Sequence, residues 1–181
     1  MSQDTEIGIL CANAYYKLNQ LRKVSNYLNF GNKVKFTESL VISKIRFSLS
    51  LYSGIPERSK ATIHKLIMSC ARFAKGSYCF KQSVEEILRS IGWVRAEVMI
   101  KRAALCFIDR ILKTNEPPNL YDLYRVNNRQ ASPIGLNFYP RTTKFKLQTP
   151  FNILDEYNRL PKGLKCISHR KFKSKLKECI N

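Results

Sequence analysis

The stretch from Ser83 to Lys113 constrains the fold of this chain most, because two apolar segments meet there at a sharp corner. Ser83 and Glu86 have the spacing of a capping box, in which each side chain satisfies a backbone N–H of the other residue. A helix is therefore predicted to begin at Ser83. Gly92 can end that helix in the left-handed conformation that a side chain would penalise. Trp93 follows directly and is the predicted structural anchor of the corner.

The segment after Trp93 predicts a longer helix with one broad apolar side. Apolar residues recur at steps of three and four, which is the period of a helix that buries one face. They are Val98, Ile100, Ala104, Leu105, Phe107, Ile108, Ile111 and Leu112. Arg95, Arg102 and Lys113 gather on the opposite side and form a predicted row of phosphate-binding cations. Asp109 stands close to this row and weakens the prediction.

Residues 57 to 75 give the clearest helix pattern in the sequence, and Pro56 suits its first turn. The apolar face consists of Ile63, Leu66, Ile67, Cys70, Phe73 and Ala74. Arg58, Lys65 and Arg72 repeat every seven residues on the opposite face. Such a row usually faces water, but two features favour phosphate contact. Acidic residues are almost absent from it, and the spacing of about 10 Å along the helix axis lies within reach of successive backbone phosphates.

The N-terminal segments predict further helices. Residues 5 to 28 read as one amphipathic helix that ends near residues 29 to 31. Residues 33 to 52 are compatible with two short strands or one mostly buried helix, and we favour the helix. Tyr15, Tyr16 and Tyr27 are as suited to packing as to stacking on bases. No nucleic-acid prediction rests on the first helix for that reason.

The C-terminal part carries breaks and a high density of cations. A helix over Phe151 to Leu154 is predicted to open at Pro150 and to end at Pro161 and Gly163. Ser168 is predicted to cap a last helix with three apolar anchors, around which the cations form a basic arm. An arm of this kind binds nucleic acid or serves as a localisation signal. The anchors are Phe172, Leu176 and Ile180, and the cations are Arg170, Lys171, Lys173, Lys175 and Lys177.

These patterns together predict a mainly α fold. A helical bundle is expected over residues 1–115, followed by a polar linker over residues 116–133. Residues 134–181 are expected to form a basic C-terminal tail with short extended segments and one or two short helices. With 181 residues and 44% hydrophobic content, the chain can bury a core.

The charge of the chain points to a polyanionic partner. Its 32 Lys and Arg residues against 13 Asp and Glu residues give a formal net charge of +19. Residues 31 to 80 hold nine basic and two acidic groups, and residues 141 to 181 hold eleven and three. Nucleic acid is the leading candidate, as RNA, DNA or their hybrid bound through the backbone, and an anionic membrane surface is the second.

The cysteines and the termini bear on the compartment. Cys11, Cys70 and Cys106 lie on predicted apolar helix faces, where a reduced thiol behaves as a small hydrophobe. A reducing compartment is therefore expected. The N-terminus lacks the pattern of a signal peptide, and no stretch reaches the ~18 uncharged apolar residues of a membrane span. We expect an intracellular protein, nuclear or cytoplasmic, without a transmembrane segment.

Seven short segments carry a family resemblance through their shared order along the chain: residues 40–47, 70–76, 91–93, 116–123, 139–142, 157–161 and 172–177. Together they resemble the region that follows the polymerase domain in jockey-like non-LTR retrotransposon reverse transcriptases. At Tyr157-Asn158 the chain departs from the family, which usually has Trp-Asn before Leu-Pro. The resemblance implies that the helical bundle of residues 1–115 is thumb-like and that thumb and C-terminal tail grip template and primer, with Tyr157 as the aromatic anchor of the tail. It also implies a separate or missing polymerase core.

The sequence holds no recognisable catalytic site. A polymerase needs two carboxylates close together to hold two magnesium ions, and this chain has no Asp-Asp pair. Cys166 and His169 have a metal-like spacing, but no second pair accompanies them, whereas tetrahedral zinc takes four ligands. Glycine residues do not cluster into a phosphate-cradling loop. We therefore predict no catalytic residue, no metal and no cofactor, and no polymerase activity of this chain alone.

Three functional hypotheses follow. The first is a post-catalytic portion of a reverse transcriptase that binds the nucleic-acid backbone. The second is a domesticated or decayed remnant that acts only as a nucleic-acid-binding module. The third is a helical protein-interaction domain whose charge provides solubility or membrane contact. Salt dependence of binding separates the third hypothesis from the other two.

Overall fold

The computed structural model describes residues 3–49, 54–76, 82–125, 134–136 and 153–180, and the chain forms two compact units. The first unit comprises residues 1–48 and 55–99, and the second comprises residues 49–54 and 100–181. Residues 126–133 of the predicted linker and the predicted extended segments around Pro140 lie outside the described residues. So does Pro150, the predicted start of a helix. The domain boundaries derived from the sequence stay a prediction.

The first unit is helical throughout its described residues, apart from short connections. A 3₁₀ turn, Ser25–Tyr27, follows the first helix, and a π segment, Glu38–Ile42, joins the second helix to the third. The helices are α1 (Gln3–Lys23), α2 (Phe30–Thr37), α3 (Ser43–Ser48), α4 (Glu57–Lys75) and α5 (Val84–Ser90).

The N-terminal helices differ in part from the prediction. The helix predicted over residues 5 to 28 ends at Lys23. Asn29 was expected to end a helix, but it begins one: its side chain accepts a hydrogen bond of 2.9 Å from the backbone N–H of Asn32 and so caps α2. The helix favoured over strands for residues 33 to 52 is confirmed as far as Ser48 by α2, the π segment and α3, and residues 50–52 lie outside the described residues. It is not mostly buried as expected, because Leu40 and Phe47 are exposed.

Helix α4 has the predicted bounds. Gly76 ends it with φ +68°, and the Gly76 N–H donates 3.1 Å hydrogen bonds to the carbonyls of Arg72 and Phe73. The predicted apolar face is buried except for Phe73, which is half-buried. The Ser59 hydroxyl donates a 2.5 Å hydrogen bond to Asp4 and joins α4 to α1.

The corner after α5 forms as the sequence predicts. Ser83 and Glu86 make both hydrogen bonds of the capping box, each at 3.2 Å. Gly92 has φ +71°, and the Trp93 N–H donates to the carbonyl of Leu88 at 2.8 Å, which is the six-to-one bond of a Schellman motif. The indole of Trp93 is buried and donates through Nε1 to Glu38 at 3.0 Å.

The described residues of the second unit form helices and one small strand pair. Helix α6 (Ala96–Thr114) begins in the first unit and continues in the second. Residues 124 and 125 pair antiparallel with residues 136 and 135. The remaining elements are α7 (Pro118–Tyr121), β1 (Tyr124–Arg125), β2 (Gly135–Leu136), α8 (Leu154–Arg159), α9 (Lys162–Lys165) and α10 (His169–Cys179).

The last helix is part of the core of the second unit. Phe172 is 0% and Leu176 is 1% exposed, and both pack with residues of α6, α8 and α9. The predicted basic arm is therefore a packed helix, α10. As predicted, α8 ends directly before Pro161, with Leu160 as its last, capping residue. Gly163 plays no part in ending it, because α9 begins after Pro161 and contains Gly163. The predicted mainly α class is confirmed.

Candidate nucleic-acid interface

The row on α4 is a set of exposed cations on a firmly packed helix. Arg58, Lys65 and Arg72 are all exposed, and among the described residues none of their side chains makes an ion pair. The opposite side of α4 holds eight buried residues, so the row is presented by a helix that cannot turn without exposing the core. The seven-residue steps place successive cations about 10 Å apart along the axis.

Among the described residues of the second unit, helix α10 presents the densest set of exposed cations. Its two buried anchors, Phe172 and Leu176, lie one turn apart on one face. On a helical wheel the cations form two rows that flank this face, and all five are exposed. Within the described part of the chain none of them makes an ion pair. The rows are Arg170, Lys173 and Lys177 on one side and Lys171 and Lys175 on the other.

The second predicted row, on α6, is engaged by other protein groups. Arg95 forms an ion pair with Glu85 in the first unit. Arg102, in the second unit, donates from Nε to the carbonyl of Ile180 at 2.9 Å and from Nη2 to the carbonyl of Lys177 at 2.8 Å. A guanidinium at this position satisfies the unpaired carbonyls at the end of α10. Partial burial lowers the pKa of Arg102.

Lys113, the last member of that row, points to a buried carboxylate. Its Nζ lies 2.6 Å from Oδ1 of Asp109 and 4.9 Å from the ring centroid of Phe172. Arg95, which directly precedes α6, and Arg102 and Lys113 on α6 are therefore each bound to other protein groups, and they do not form a continuous basic face like the row on α4.

Asp109 lies at the centre of a polar cluster that the sequence pattern did not indicate. We call it the Asp109 cluster and define it as Asp109, Lys113, Tyr157 and His169. Asp109 is 0% exposed. The Tyr157 hydroxyl donates to Oδ1 at 3.1 Å, and Nδ1 of His169 lies 2.8 Å from Oδ2. Burial, and then the negative charge of Asp109, raise the pKa of Tyr157, so this phenol stays protonated and donates.

The cluster joins three helices of the second unit. Asp109 and Lys113 lie on α6, Tyr157 lies on α8, and His169 is the first residue of α10. Tyr157 was predicted to anchor the tail, and its ring is buried with its centroid 6.1 Å from that of Phe172. A helical wheel of α6 places Asp109 on the apolar side, because it lies four residues after Leu105 and three before Leu112. That position is the signal from which its burial could have been predicted.

Cys11, Cys70 and Cys106, which are buried or half-buried, are not activated thiols. Burial raises the pKa of Cys70 to about 12 and that of Cys106 to about 11, and it also raises the pKa of Cys11. Thiols of this kind stay protonated and are poor nucleophiles and metal ligands at neutral pH. They behave as small apolar side chains of the core.

The described residues also offer no constellation for metal chemistry. Within residues 3–49, 54–76, 82–125, 134–136 and 153–180, no three His, Cys, Asp or Glu side chains lie close enough to hold one ion. His169, whose spacing from Cys166 resembles that of metal ligands, directs Nδ1 to Asp109. Asp4 is bound by Ser59, and Asp109 by its cluster.

In the described helices no segment is both long and apolar enough to cross a membrane. Comparisons of the chain with protein-family models, with curated proteins and with solved structures find no match.

Proposed function

We propose that this chain binds the phosphate backbone of nucleic acid, as the non-catalytic region that follows the polymerase core of a non-LTR retrotransposon reverse transcriptase. The observation that carries the binding proposal is α10, where five exposed cations surround two fully buried anchors. Phosphate contact by Lys and Arg is the sequence-independent part of nucleic-acid binding and accounts for most of its affinity.

The packing of α10 supports binding to a rigid polyanion. Cations on a disordered arm lose conformational freedom when they bind, whereas those on α10 are already ordered by Phe172 and Leu176. The row on α4 supports the same function in the first unit. Catalysis has no place in the proposal, because the sequence lacks the paired aspartates that hold the metal ions of a polymerase.

The test measures affinity for labelled duplex and single-stranded oligonucleotides as a function of salt. Replacing Arg170, Lys173 and Lys177 by glutamine removes one row of α10 and leaves its buried anchors in place. If all three contact phosphates, the slope of log affinity against log salt should become shallower by about 2.7 on duplex DNA and about 2 on a single strand. Truncation at Gly163 is not suitable, because it would remove core residues.

A matched control removes three exposed cations from α1, which carries no proposed phosphate contact. Lys17, Arg22 and Lys23 are exposed, and their replacement by glutamine changes the net charge by the same amount. A flat salt response of the wild-type protein would refute backbone binding. Equal changes of slope in the two variants would show that only net charge matters and would refute an interface on α10.

The family part of the proposal has its own test. A polymerase core with paired aspartates, encoded in frame immediately upstream in the genome, would support it. An upstream sequence without such a core would favour a domesticated binding module and would leave the salt experiment unaffected.

A further inference from the structure

The segment from α2 to α3 exposes large apolar side chains on its outer face. Phe36, Leu40 and Phe47 are 42%, 44% and 89% exposed, and Lys44 between them is exposed as well. We call Phe36, Leu40, Lys44 and Phe47 the outer stripe. Successive members are separated by four, four and three residues, so they are neighbours along one side of the helical segment. The stripe spans about 16 Å, the reach of several nucleotides.

The helical segment that carries the outer stripe is fixed by buried residues on its inner side. Thr37, Val41, Ile42 and Ile45 of the same segment are buried on the inner side. Within the π segment, Glu38 accepts a hydrogen bond from the Trp93 indole and forms an ion pair with Arg46 at 3.5 Å. π turns inside α-helices occur frequently at functional sites. The exposed side chains are therefore presented by an ordered scaffold.

The chemistry of the stripe fits one class of partner. Two exposed aromatic rings with a lysine between them match a single-stranded nucleic acid, whose bases stack on aromatic rings while cations contact the phosphates. Lys44 makes no ion pair among the described residues. In residues 30–48 four Lys and Arg residues stand against one Glu, so the surroundings of the stripe are also basic.

A second copy of the chain fits this surface poorly. Self-association would bring two basic segments of a +19 chain together, at the cost of like-charge repulsion. The stripe also contributes only three apolar side chains, whereas a stable protein interface takes about 20 to 30 residues from each partner. A polyanion with apolar bases satisfies both the charge and the exposed rings.

We infer that the outer stripe binds single-stranded nucleic acid by base stacking on Phe36 and Phe47, with Lys44 on a phosphate. This inference rests on the proposed function and narrows it, because the bases contribute to affinity in addition to the backbone. Binding should be sequence-tolerant, since every base has a face that can stack.

The experiment uses the full chain and two labelled probes of equal length and charge, an oligothymidylate and an abasic strand. The wild-type protein should bind the oligothymidylate about tenfold or more tightly than the abasic strand. The double variant Phe36→Ala/Phe47→Ala should lose about tenfold or more of the affinity for oligothymidylate. Its affinity for the abasic strand and its salt slope should not change, because no charge is removed. Lys44→Gln should reduce the slope by about 0.7.

The matched control is Tyr27→Ala/Phe30→Ala, which removes two exposed aromatic side chains of the same unit outside the stripe. It should leave both affinities unchanged. Equal binding of the two probes by the wild-type protein would refute stacking and leave backbone binding intact, whereas binding to neither probe at low salt would refute the proposed function as well. An equal loss in the control variant, or a dimer in sedimentation that Phe36→Ala/Phe47→Ala abolishes, would overturn the assignment of the stripe to nucleic acid.

Discussion

Replacing Asp109 by asparagine should destabilise the second unit strongly. The side chain is fully buried, and its two oxygens contact Lys113 at 2.6 Å, His169 at 2.8 Å and the Tyr157 hydroxyl at 3.1 Å. Asparagine has nearly the same shape but no charge, so it cannot compensate the positive charge of Lys113. The substitution therefore tests the electrostatic role of the cluster without creating a cavity.

The expected cost of Asp109→Asn is about 3 kcal/mol. Removing one partner of a buried ion pair costs about 3 to 5 kcal/mol, and the lower end applies because the Lys113 and His169 side chains are 24% and 33% exposed and can regain water. Tyr157→Phe removes a single hydrogen bond to a charged acceptor and should cost about 1.5 to 2 kcal/mol. The double variant should show a coupling of about 1 kcal/mol, because both changes affect the same contact.

Urea denaturation followed by circular dichroism provides the measurement, and the thermal midpoint should fall by about 10 to 25 °C if the second unit unfolds by itself. Glu178→Gln, an exposed carboxylate on α10, is the control and should change the stability by no more than about 0.5 kcal/mol. A cost below about 1 kcal/mol for Asp109→Asn would refute the reasoning, since it would mean that water already solvates the carboxylate.

Three further predictions concern the core, the thiols and catalysis. Trp93→Ala should lower the free energy of unfolding by about 3 to 5 kcal/mol, because the indole is buried, and Trp93→Phe should lower it by clearly less. A shift of the thermal midpoint of only one or two degrees in the alanine variant would contradict the burial of Trp93. Because burial raises the pKa of Cys70 and that of Cys106, both thiols should stay protonated and react slowly at pH 8. Iodoacetamide should therefore modify the exposed Cys166 and Cys179 first, as read by peptide mass spectrometry, and equal rates would contradict the buried positions. Primer extension by the purified chain with magnesium or manganese should not exceed that of a heat-inactivated control, because paired aspartates are absent.

Features that depend on neighbouring residues could be predicted from the sequence. The corner between α5 and α6 rests on Ser83, Glu86, Gly92 and Trp93, whose decisive backbone interactions span only a few residues. The bounds of α4 follow in the same way from its apolar period, a preceding proline and a following glycine. Asn29 shows the limit of such local signals, because the same residue type stands after one helix and caps the next.

Features that depend on distant residues could not be predicted. The partners of Asp109 on α8 and α10 follow it by 48 and 60 residues, and the carbonyls bound by Arg102 follow it by 75 and 78. Amphipathic periodicity indicates which side of α6 is apolar, but it does not indicate which helix covers that side. The sequence therefore does not show that Arg102 binds the end of α10 or that Lys113 contacts Asp109. Phosphate contact by these two cations stays a prediction.

The same distant contacts explain how α10 can present an ordered basic surface. At the start of α10, His169 contacts Asp109, and at its end the carbonyls of Lys177 and Ile180 accept hydrogen bonds from Arg102. Asp109 and Arg102 both belong to α6, so α6 holds α10 at both ends and runs antiparallel to it. Phe172 and Leu176 fill the space between these two attachments, and the five cations are left on the outer side. Asp109 and Arg102 thus fix the orientation of the helix for which we propose phosphate contact.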